Sequence, residues 1–514
     1  MEIQRRLLME QVQLMAGCAL GRRLFGGETP ATVEEFRRKV PLTSFGDYAD
    51  VLLTQKEDML PDKPVVWLRT TWEGGDFPAK YAPYTESMLE TYKTNILGAM
   101  LLSTSTGRGR FRVRPNARVL YSLAPMPYAT GLFPDLIAPE IHLRFLPSVR
   151  EARKMSFGQQ TRLGYKLALR HGMNLFFGMS SVLYGATRNL ELLNGGSSSH
   201  GGLRAMLGMS PRMLWRLLSG LYRARRDGTQ LKPGDLFRLD GFVCVGTDTT
   251  LYKDELEDAW GVRPLEIAGG TEPSCMGTET WSKNGMVFFP DACFYEFIPE
   301  QEMLKNLEDP SYQPRTYLMD ELVAGQKYEL VITVLRGGAF LRYRVGDVYR
   351  CLRLRNPADG LDLPQFEYVD RIPTVIDIAG FTRITRREID KVLAMSCLPV
   401  ADWFATKEYD EDGHSYLDLY VELEAGAKQS PALSRDIIRD HLAIYFRYYD
   451  GDYKDLKRLL GVDPLRVTML KTGAIHAYEA AAGHSIPKVG APREMVLDLL
   501  RMQSPPGGER GAGR

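Results

Sequence analysis

Two short segments carry the residues best suited to chemistry: LEIAGGTEPSCMGTETW at 265–281 and AFLRYRVGDVYRC at 339–351. The first reads as a strand running through Gly269 and Gly270 into a turn that presents Thr271 and Glu272. The second reads as a strand ending in a turn that presents Asp347. Glu272 suits Mg²⁺, which takes one or two carboxylates plus phosphate oxygens. Thr271 can donate its hydroxyl to an α-phosphate, and Asp347 can accept from ribose hydroxyls, as acidic residues do in other nucleotide sites. Taken singly, G-T-E is commonly a surface turn and Asp after Gly a hairpin residue. Together they point to ATP, to Mg²⁺ and to chemistry at phosphate. A carboxylate is inert towards amines and thiols at neutral pH because oxide would have to leave. Attack on the α-phosphate of ATP makes a mixed anhydride from which AMP departs readily. That step needs clamped phosphates, a placed cation, a fixed ribose and an acid held in line.

The elements that must position these residues are legible in outline. Residues 1–60 read as helical. VVWLRTT at 65–71 is a strand entering a glycine-containing loop, and TESMLETYKTNILGAMLL is a helix with Ser87 as N-cap and Glu90 completing a capping box. ARVLYSLAP at 117–125 is a strand. The pattern from about 148 to 226 is mostly helical, interrupted by the loop NGGSSSHGG at 194–202. The basic stretch LYRARRDGTQLK at 221–232 reads as a solvated helix end. FVCVGTD at 242–248 is a strand and turn, and DELEDAWG a helix ended by Gly261. The segments MVFFPDACFYEFIPE, KYELVITVL and AFLRYRVGDVYRCLRL are β-rich. A boundary falls near VDRIPTVIDIAG at 369–380, followed by alternating helices and strands of a smaller α+β unit. The expected division is 1–369, 370–503 and a disordered Gly/Pro-rich tail at 504–514.

Composition narrows the classes. The chain has 514 residues, which predicts more than one core, with 44% hydrophobic and 25% charged residues. Lys plus Arg total 65 against 64 Asp plus Glu, so bulk charge gives no reason to expect a nucleic-acid partner. Cys18, Cys244, Cys275, Cys293, Cys351 and Cys397 form no C-x-x-C pair and fit a reducing compartment. No H-E-x-x-H spacing suggests a histidine metal site. The first residues carry Glu2 and Glu10 and lack an unbroken apolar run, so no signal peptide is expected. No stretch of ~20 apolar residues suggests a membrane span. The expectation is a cytoplasmic protein without nucleic-acid or membrane partners, a monomer or weak homodimer.

Several further segments resemble the acyl-acid amido synthetases of the auxin-responsive Gretchen Hagen family, especially its bacterial branch, within the acyl-adenylate-forming superfamily. They are FRRKVPLTSFGDYADVL (36–52), LRTTWEGGDFPAKYAPYTESML (68–89), FVCVGTDTTLYKDELEDAWGVRPLEIAGGTE (242–272), GMVFFPDACFYEFIPE (285–300), FLRYRVGDVYRC (340–351) and FEYVDRIPTVIDIAGFTRI (366–384). The resemblance implies an α/β fold: a large N-terminal α/β adenylate-forming domain with β-rich subdomains, a hinge near Asp370–Arg371 and a small mobile α+β C-terminal domain. It implies ATP and Mg²⁺ as cofactors, with a small carboxylic acid and an amine or amino acid as substrates. It assigns Arg371 to the ribose and hinge, and Gly246, Thr247 and Asp248 to a loop cradling adenine and ribose. Lys488 takes the place of a C-terminal catalytic lysine, with an exposed loop lysine as the alternative. Tyr128, Phe177 and Met179 lie where relatives line the acyl site, or they are core residues, as aromatic and Met side chains mostly are.

The phosphate loop departs from the family. Relatives carry a run like S-G-T-T-G followed by Pro and Lys, in which glycine amides and hydroxyls cradle phosphates. Here Thr70, Thr71, Gly74, Gly75 and Lys80 are compatible with that role, whereas Trp72 and Glu73 are not. A carboxylate ~5 Å from a phosphate costs about 3 kcal/mol per unit charge at an effective dielectric of ~20. Ala268 stands where relatives place a tyrosine that stacks on adenine. The resulting reading is an ATP-dependent ligase that adenylates a small acid and passes the acyl group to an amine. The alternatives are a ligase using coenzyme A or a carrier thiol, and an inactive nucleotide- or acid-binding homologue.

Overall fold

The computed structural model describes residues 1–70, 77, 79–194, 208–247, 249–380, 382–411, 413–449 and 463–503. Thr71, Trp72, Glu73, Gly74, Gly75, Asp248, residues 195–202 and the tail at 504–514 lie outside the described residues. The chain divides into two compact units, one of Met1–Thr71 and Ala79–Asp370, the other of Trp72–Pro78 and Arg371–Arg514.

The first unit opens with helices Glu2–Ala16, Ala19–Leu24 and Val33–Lys39. A hairpin follows from β1 (Val66–Arg69) and β2 (Tyr81–Tyr84), with Val66 opposite Tyr84 and Arg69 opposite Tyr81. The next helix, Glu86–Ser103, starts from Thr85, whose side chain accepts from the Met88 amide at 3.1 Å. Thr85 is thus the N-cap, in place of the expected Ser87. Pairing holds the chain extended through Tyr84, and the helix begins as soon as the strand ends. A small ribbon of β3 (Ser105–Gly107) and β4 (Arg110–Phe111) comes next.

An 11-stranded sheet forms the body of this unit. Its parallel half contains β5 (Arg118–Ser122), β6 (Arg144–Leu146), β7 (Leu175–Met179), β8 (Gly241–Val245) and β9 (Leu265–Gly270), in spatial order β6-β5-β7-β8-β9. Its antiparallel half adds β10 (Ser274–Glu279), β11 (Met286–Phe288), β12 (Cys293–Pro299), β13 (Lys327–Val334), β14 (Tyr343–Arg353) and β15 (Gln365–Arg371). The strands β5, β7 and β8 read as nearly unbroken apolar runs because a parallel sheet is covered on both faces. Alternate residues go to opposite faces. Leu120, Phe176, Phe242 and Cys244 join a core that includes Trp260, while Val119, Tyr121, Phe177 and Val243 join one with Phe133 and Ile96. Trp260 is fully buried yet satisfied, because its indole N–H donates to Thr187 Oγ1 at 2.9 Å. Truncating Phe242, which has no exposed surface, to Ala is expected to cost ~3–5 kcal/mol.

The stretch 148–226 is mostly helical as expected, with helices Val149–Ala152, Phe157–His171, Ser180–Asn194 and Pro211–Asp227, and β7 is the strand within it that the pattern does not show. LFFGM is a short apolar run with no polar alternation, and periodicity alone cannot separate such a strand from a buried helix segment. The order β6-β5-β7-β8-β9 is the doubly wound 2-1-3-4-5 arrangement. The direction in which successive strands are added reverses between β5 and β7, and in such sheets ligands bind at the carboxyl ends of the strands beside that point.

The second unit carries the hairpin β16 (Val375–Ile378) and β17 (Thr382–Thr385) and a three-stranded sheet of β18 (Val400–Tyr409), β19 (Ser415–Leu423) and β20 (Leu465–Met469). Helices Arg386–Ser396, Pro431–Tyr449, Ala474–Ala482 and Arg493–Gln503 accompany them. The chain is therefore a mixed α/β protein with an α+β second unit. No described helix is long and apolar enough to cross a membrane.

Candidate nucleotide and acid site

The carboxyl ends of β5, β7, β8 and β9 bring together segments far apart in sequence. At the end of β9, Gly269 and Gly270 lead into the turn of Thr271 and Glu272 before β10. Gly269 is required by close packing, since a Cβ there would lie 2.5 Å from the Ser274 carbonyl oxygen. Ser274 takes a left-handed φ of 61° to close the turn. The Tyr84 hydroxyl at the end of β2 donates to the Thr271 carbonyl at 2.6 Å, fastening the hairpin to the turn. Burial pushes the Tyr84 phenol well above its usual range, so it stays a donor. At the other end of the hairpin loop, the Thr70 amide donates to the Lys80 carbonyl at 3.0 Å. Thr70 is buried, and the Lys80 ammonium lies 5.7 Å from the Phe45 ring centroid.

Glu272 is buried at 8% exposure, and its Oε1 accepts from the Tyr343 hydroxyl at 3.1 Å. Tyr343 opens β14, the strand that carries Asp347, so the two segments singled out in the sequence meet here. Asp347 departs from the expected turn. It lies inside β14, buried at 8% exposure. Val331 pairs with Arg344 and Glu329 with Val348, so Val345, Gly346 and Asp347 stand opposite Leu330 alone. Gly346 takes φ 80° within this bulge. A bulge re-aims the side chains it contains, which a strand-end turn would do differently.

The remaining strand ends contribute the other expected residues. Gly246 follows β8 with φ 132°, and a Cβ there would come 3.3 Å from Ser180 Oγ, just past β7. Thr249 Oγ1 donates to Ser180 Oγ and to the Gly246 carbonyl, each at 3.0 Å. Thr247 is half-buried between them in sequence. Beyond β5, the Arg69 amide at the end of β1 donates to the Pro127 carbonyl at 2.9 Å, drawing the half-buried Tyr128 to the same edge. Phe177 is 3% exposed and packs at 4.5 Å from Phe133 and 5.5 Å from Tyr121, within the core of one sheet face. Met179 packs partly against the same core. Ala268 is buried and pairs with Gly277.

Beneath the turn, β9 and β10 share a buried ionic set. Lys253 Nζ lies 2.5 Å from Glu279 Oε2, and Glu279 also accepts from the amides of Glu266 at 2.8 Å and Gly285 at 3.1 Å. Burial first, with Glu279 adding and Lys253 opposing, pushes the Glu266 carboxyl up to about 8. Burial lowers Lys283 to about 8, and its ammonium donates to the carbonyls of Ser103 and Arg263, both at 2.9 Å.

Arg371 and Lys488 belong to the second unit. Arg371 is half-buried at the end of β15. Lys488 pairs with Asp402 and has its ammonium 5.9 Å from the Trp403 ring centroid. Sequence reasoning missed Tyr84 and Tyr343, which fasten the turn. The only local signal was the placement of Tyr343 four residues before Asp347.

The donor chemistry fits Mg²⁺·ATP. Among the described residues no group of three His, Cys, Asp or Glu side chains forms a ready cation cage. One carboxylate at Glu272, completed by phosphate oxygens, is a donor set that Mg²⁺ takes readily.

Residues 286–371 match the GH3 family central domain. Indole-3-acetic acid-amido synthetase GH3.3 of Arabidopsis thaliana is 22% identical over 246 residues, 45% of this chain and 38% of the relative. Probable indole-3-acetic acid-amido synthetase GH3.1 of Oryza sativa subsp. japonica is 28% identical over 230 residues, 41% of this chain and 35% of the relative. The matched region thus spans little more than a third of these relatives' length. Among solved structures, AtGH3.15 acyl acid amido synthetase in complex with 2,4-DB aligns with a TM-score of 0.50 at 16% identity, over 98% of this chain and 93% of that chain. A 2-hydroxyisobutyryl-CoA ligase in complex with 2-HIB-AMP and CoA aligns with a TM-score of 0.55 at 17% identity, over 91% and 86%. At these identities the structural likeness is one of fold.

Proposed function

We propose that this chain, a relative of the GH3 family within the adenylate-forming superfamily, is an ATP-dependent ligase. It adenylates a small carboxylic acid and then passes the acyl group to an amine, an amino acid foremost. The observation that carries this reading is the hydrogen bond from Tyr343 to Glu272, which joins the glycine turn to the strand bearing Asp347. In this reading Glu272 ligates Mg²⁺, Thr271 and Thr70 face phosphate with Lys80 nearby, and Asp347 accepts from the ribose. Bound Mg²⁺ would neutralise developing charge on the phosphates. Gly246, Thr247, Gly269 and Gly270 border the nucleoside side, and Tyr128, Phe177 and Met179 the acid side. Arg371 and Lys488 belong to a C-terminal domain from residue 370 that turns between the two half-reactions. Thr71, Gly74, Gly75 and Asp248 complete the set from the sequence.

The name of the second solved neighbour supports a different acceptor. A 2-hydroxyisobutyryl-CoA ligase shares the fold, so a thiol acceptor stays as the second reading. A cytoplasmic monomer or weak homodimer is the expected setting. The test is a panel of aryl and aliphatic acids with Mg²⁺·ATP, trapped by hydroxylamine, by amino acids or by coenzyme A. Hydroxamate and amide products support the amido synthetase. Thioester without amide moves the assignment to the thiol ligase. ATP binding with no product in any arm would mean that Trp72 and Glu73 have disabled the loop.

A further inference from the structure

Tyr343 is held from both sides. Arg342, immediately before it, is 6% exposed and sits at a left-handed φ of 44°, a conformation that only surrounding structure can enforce on a non-glycine residue. Its guanidinium forks onto Glu296, Nε to Oε2 at 2.9 Å and Nη2 to Oε1 at 3.0 Å. Its Nη1 donates to the carbonyls of Arg37 at 2.6 Å and Val40 at 2.7 Å. Arg344, immediately after, forks onto Glu329 at 2.7 and 2.6 Å. Both glutamates are buried, at 1% and 0% exposure. The backbone is clasped as well, since the Thr43 amide donates to the Arg342 carbonyl and the Arg344 amide to the Thr43 carbonyl, each at 2.9 Å. The Tyr343 ring lies 4.8 Å from Phe340 and 6.2 Å from Tyr48.

Packing alone would not need this arrangement. Two bidentate ion pairs, each on a buried glutamate, flank a single tyrosine whose hydroxyl reaches Glu272 across 71 positions of sequence. We propose that Tyr343 is a positioning residue for the Glu272 carboxylate, and that the Arg342–Glu296 and Arg344–Glu329 pairs fix its reach. The hydroxyl occupies Glu272 Oε1 and sets the plane in which the carboxylate meets a divalent cation. Partners behind a ligating group typically change metal affinity 10–100-fold when removed. The inference rests on the reading of Glu272 as the metal ligand.

The test is Mn²⁺ binding followed by electron paramagnetic resonance, with a non-hydrolysable ATP analogue present. Tyr343→Phe keeps the ring and removes only the hydroxyl. Mn²⁺ affinity is expected to fall about 10–100-fold while the melting temperature changes little. Tyr48→Phe is the control, because its hydroxyl bonds Thr43 and the Leu341 carbonyl at 2.9 and 3.0 Å rather than Glu272. It should lose stability and keep Mn²⁺ affinity. Equal affinities in Tyr343→Phe and the wild type, or equal losses in the two Phe variants, overturn the positioning role. Glu272→Gln separates the premises. If it loses Mn²⁺ while Tyr343→Phe does not, only the positioning role fails. If it retains Mn²⁺, the ligand role fails and the positioning role with it.

Discussion

Replacing Gly346 by Ala isolates the bulge that aims Asp347. Gly346 adopts φ 80°, where an L side chain costs ~1–2 kcal/mol. The chain cannot escape by sliding β14, because Lys327 pairs with Arg350 on one side and Val331 with Arg344 on the other. The forked pairs of Arg342 and Arg344 pin the near end further. The strain must then be absorbed inside Val345–Asp347, which turns the carboxylate away from its aim. If Asp347 accepts from the ribose, losing a hydrogen bond to a charged group worth about 1.5–3 kcal/mol weakens ATP binding roughly 10–150-fold. Gly261→Ala supplies the comparison. Gly261 has φ 71° at the end of helix Thr249–Trp260, and a Cβ added there would meet nothing within 4 Å, so it carries the same backbone penalty away from the site. Both variants should melt a few degrees below the wild type, and only Gly346→Ala should lose ATP affinity by calorimetric titration. Wild-type affinity in Gly346→Ala at a lowered melting temperature would refute the link between the bulge and the nucleotide.

Asp347→Ala is expected to erase the preference for ATP over 2′,3′-dideoxy-ATP, measured as the ratio of their dissociation constants; an unchanged ratio removes the ribose role. Glu266 makes a pH prediction. Its folded value of about 8 stands above its ordinary 4.5, so between those values the folded chain holds a proton that the unfolded chain releases. Its contribution to stability is complete below about pH 4.5 and is lost as the pH rises through about 8. Glu266→Gln should therefore gain melting temperature relative to the wild type between about pH 5 and about pH 8.5, and a pH-independent difference would contradict this.

Much of the fold was legible because local signals and tertiary structure agreed. Gly269 marked the turn after β9, where close packing leaves no room for a Cβ, and Gly261 marked the helix end, where φ is 71°. The α+β pattern after residue 370 was visible in period alone. The misreadings share one cause, which is pairing partners distant in sequence. LFFGM becomes β7 only because β5 and β8 flank it. Thr85 rather than Ser87 caps the helix because Tyr84 is held opposite Val66. Asp347 lies in a bulge rather than a turn because β13 offers one residue against three. The candidate site shows the same division. The segments around Glu272 and Asp347 stood out by residue type, whereas the hydroxyl contacts from Tyr84 and Tyr343 span 187 and 71 positions and leave no local trace.

The most direct test of adenylation is acid-dependent exchange of labelled pyrophosphate into ATP, run on the wild type and on Glu272→Gln. Exchange that requires both a carboxylic acid and Mg²⁺, and that falls by roughly 100-fold or more in Glu272→Gln while the fold survives, is the expected result. Exchange that persists in Glu272→Gln would contradict the assignment of that carboxylate. No exchange in the wild type with any acid, despite measured ATP binding, would contradict adenylation itself.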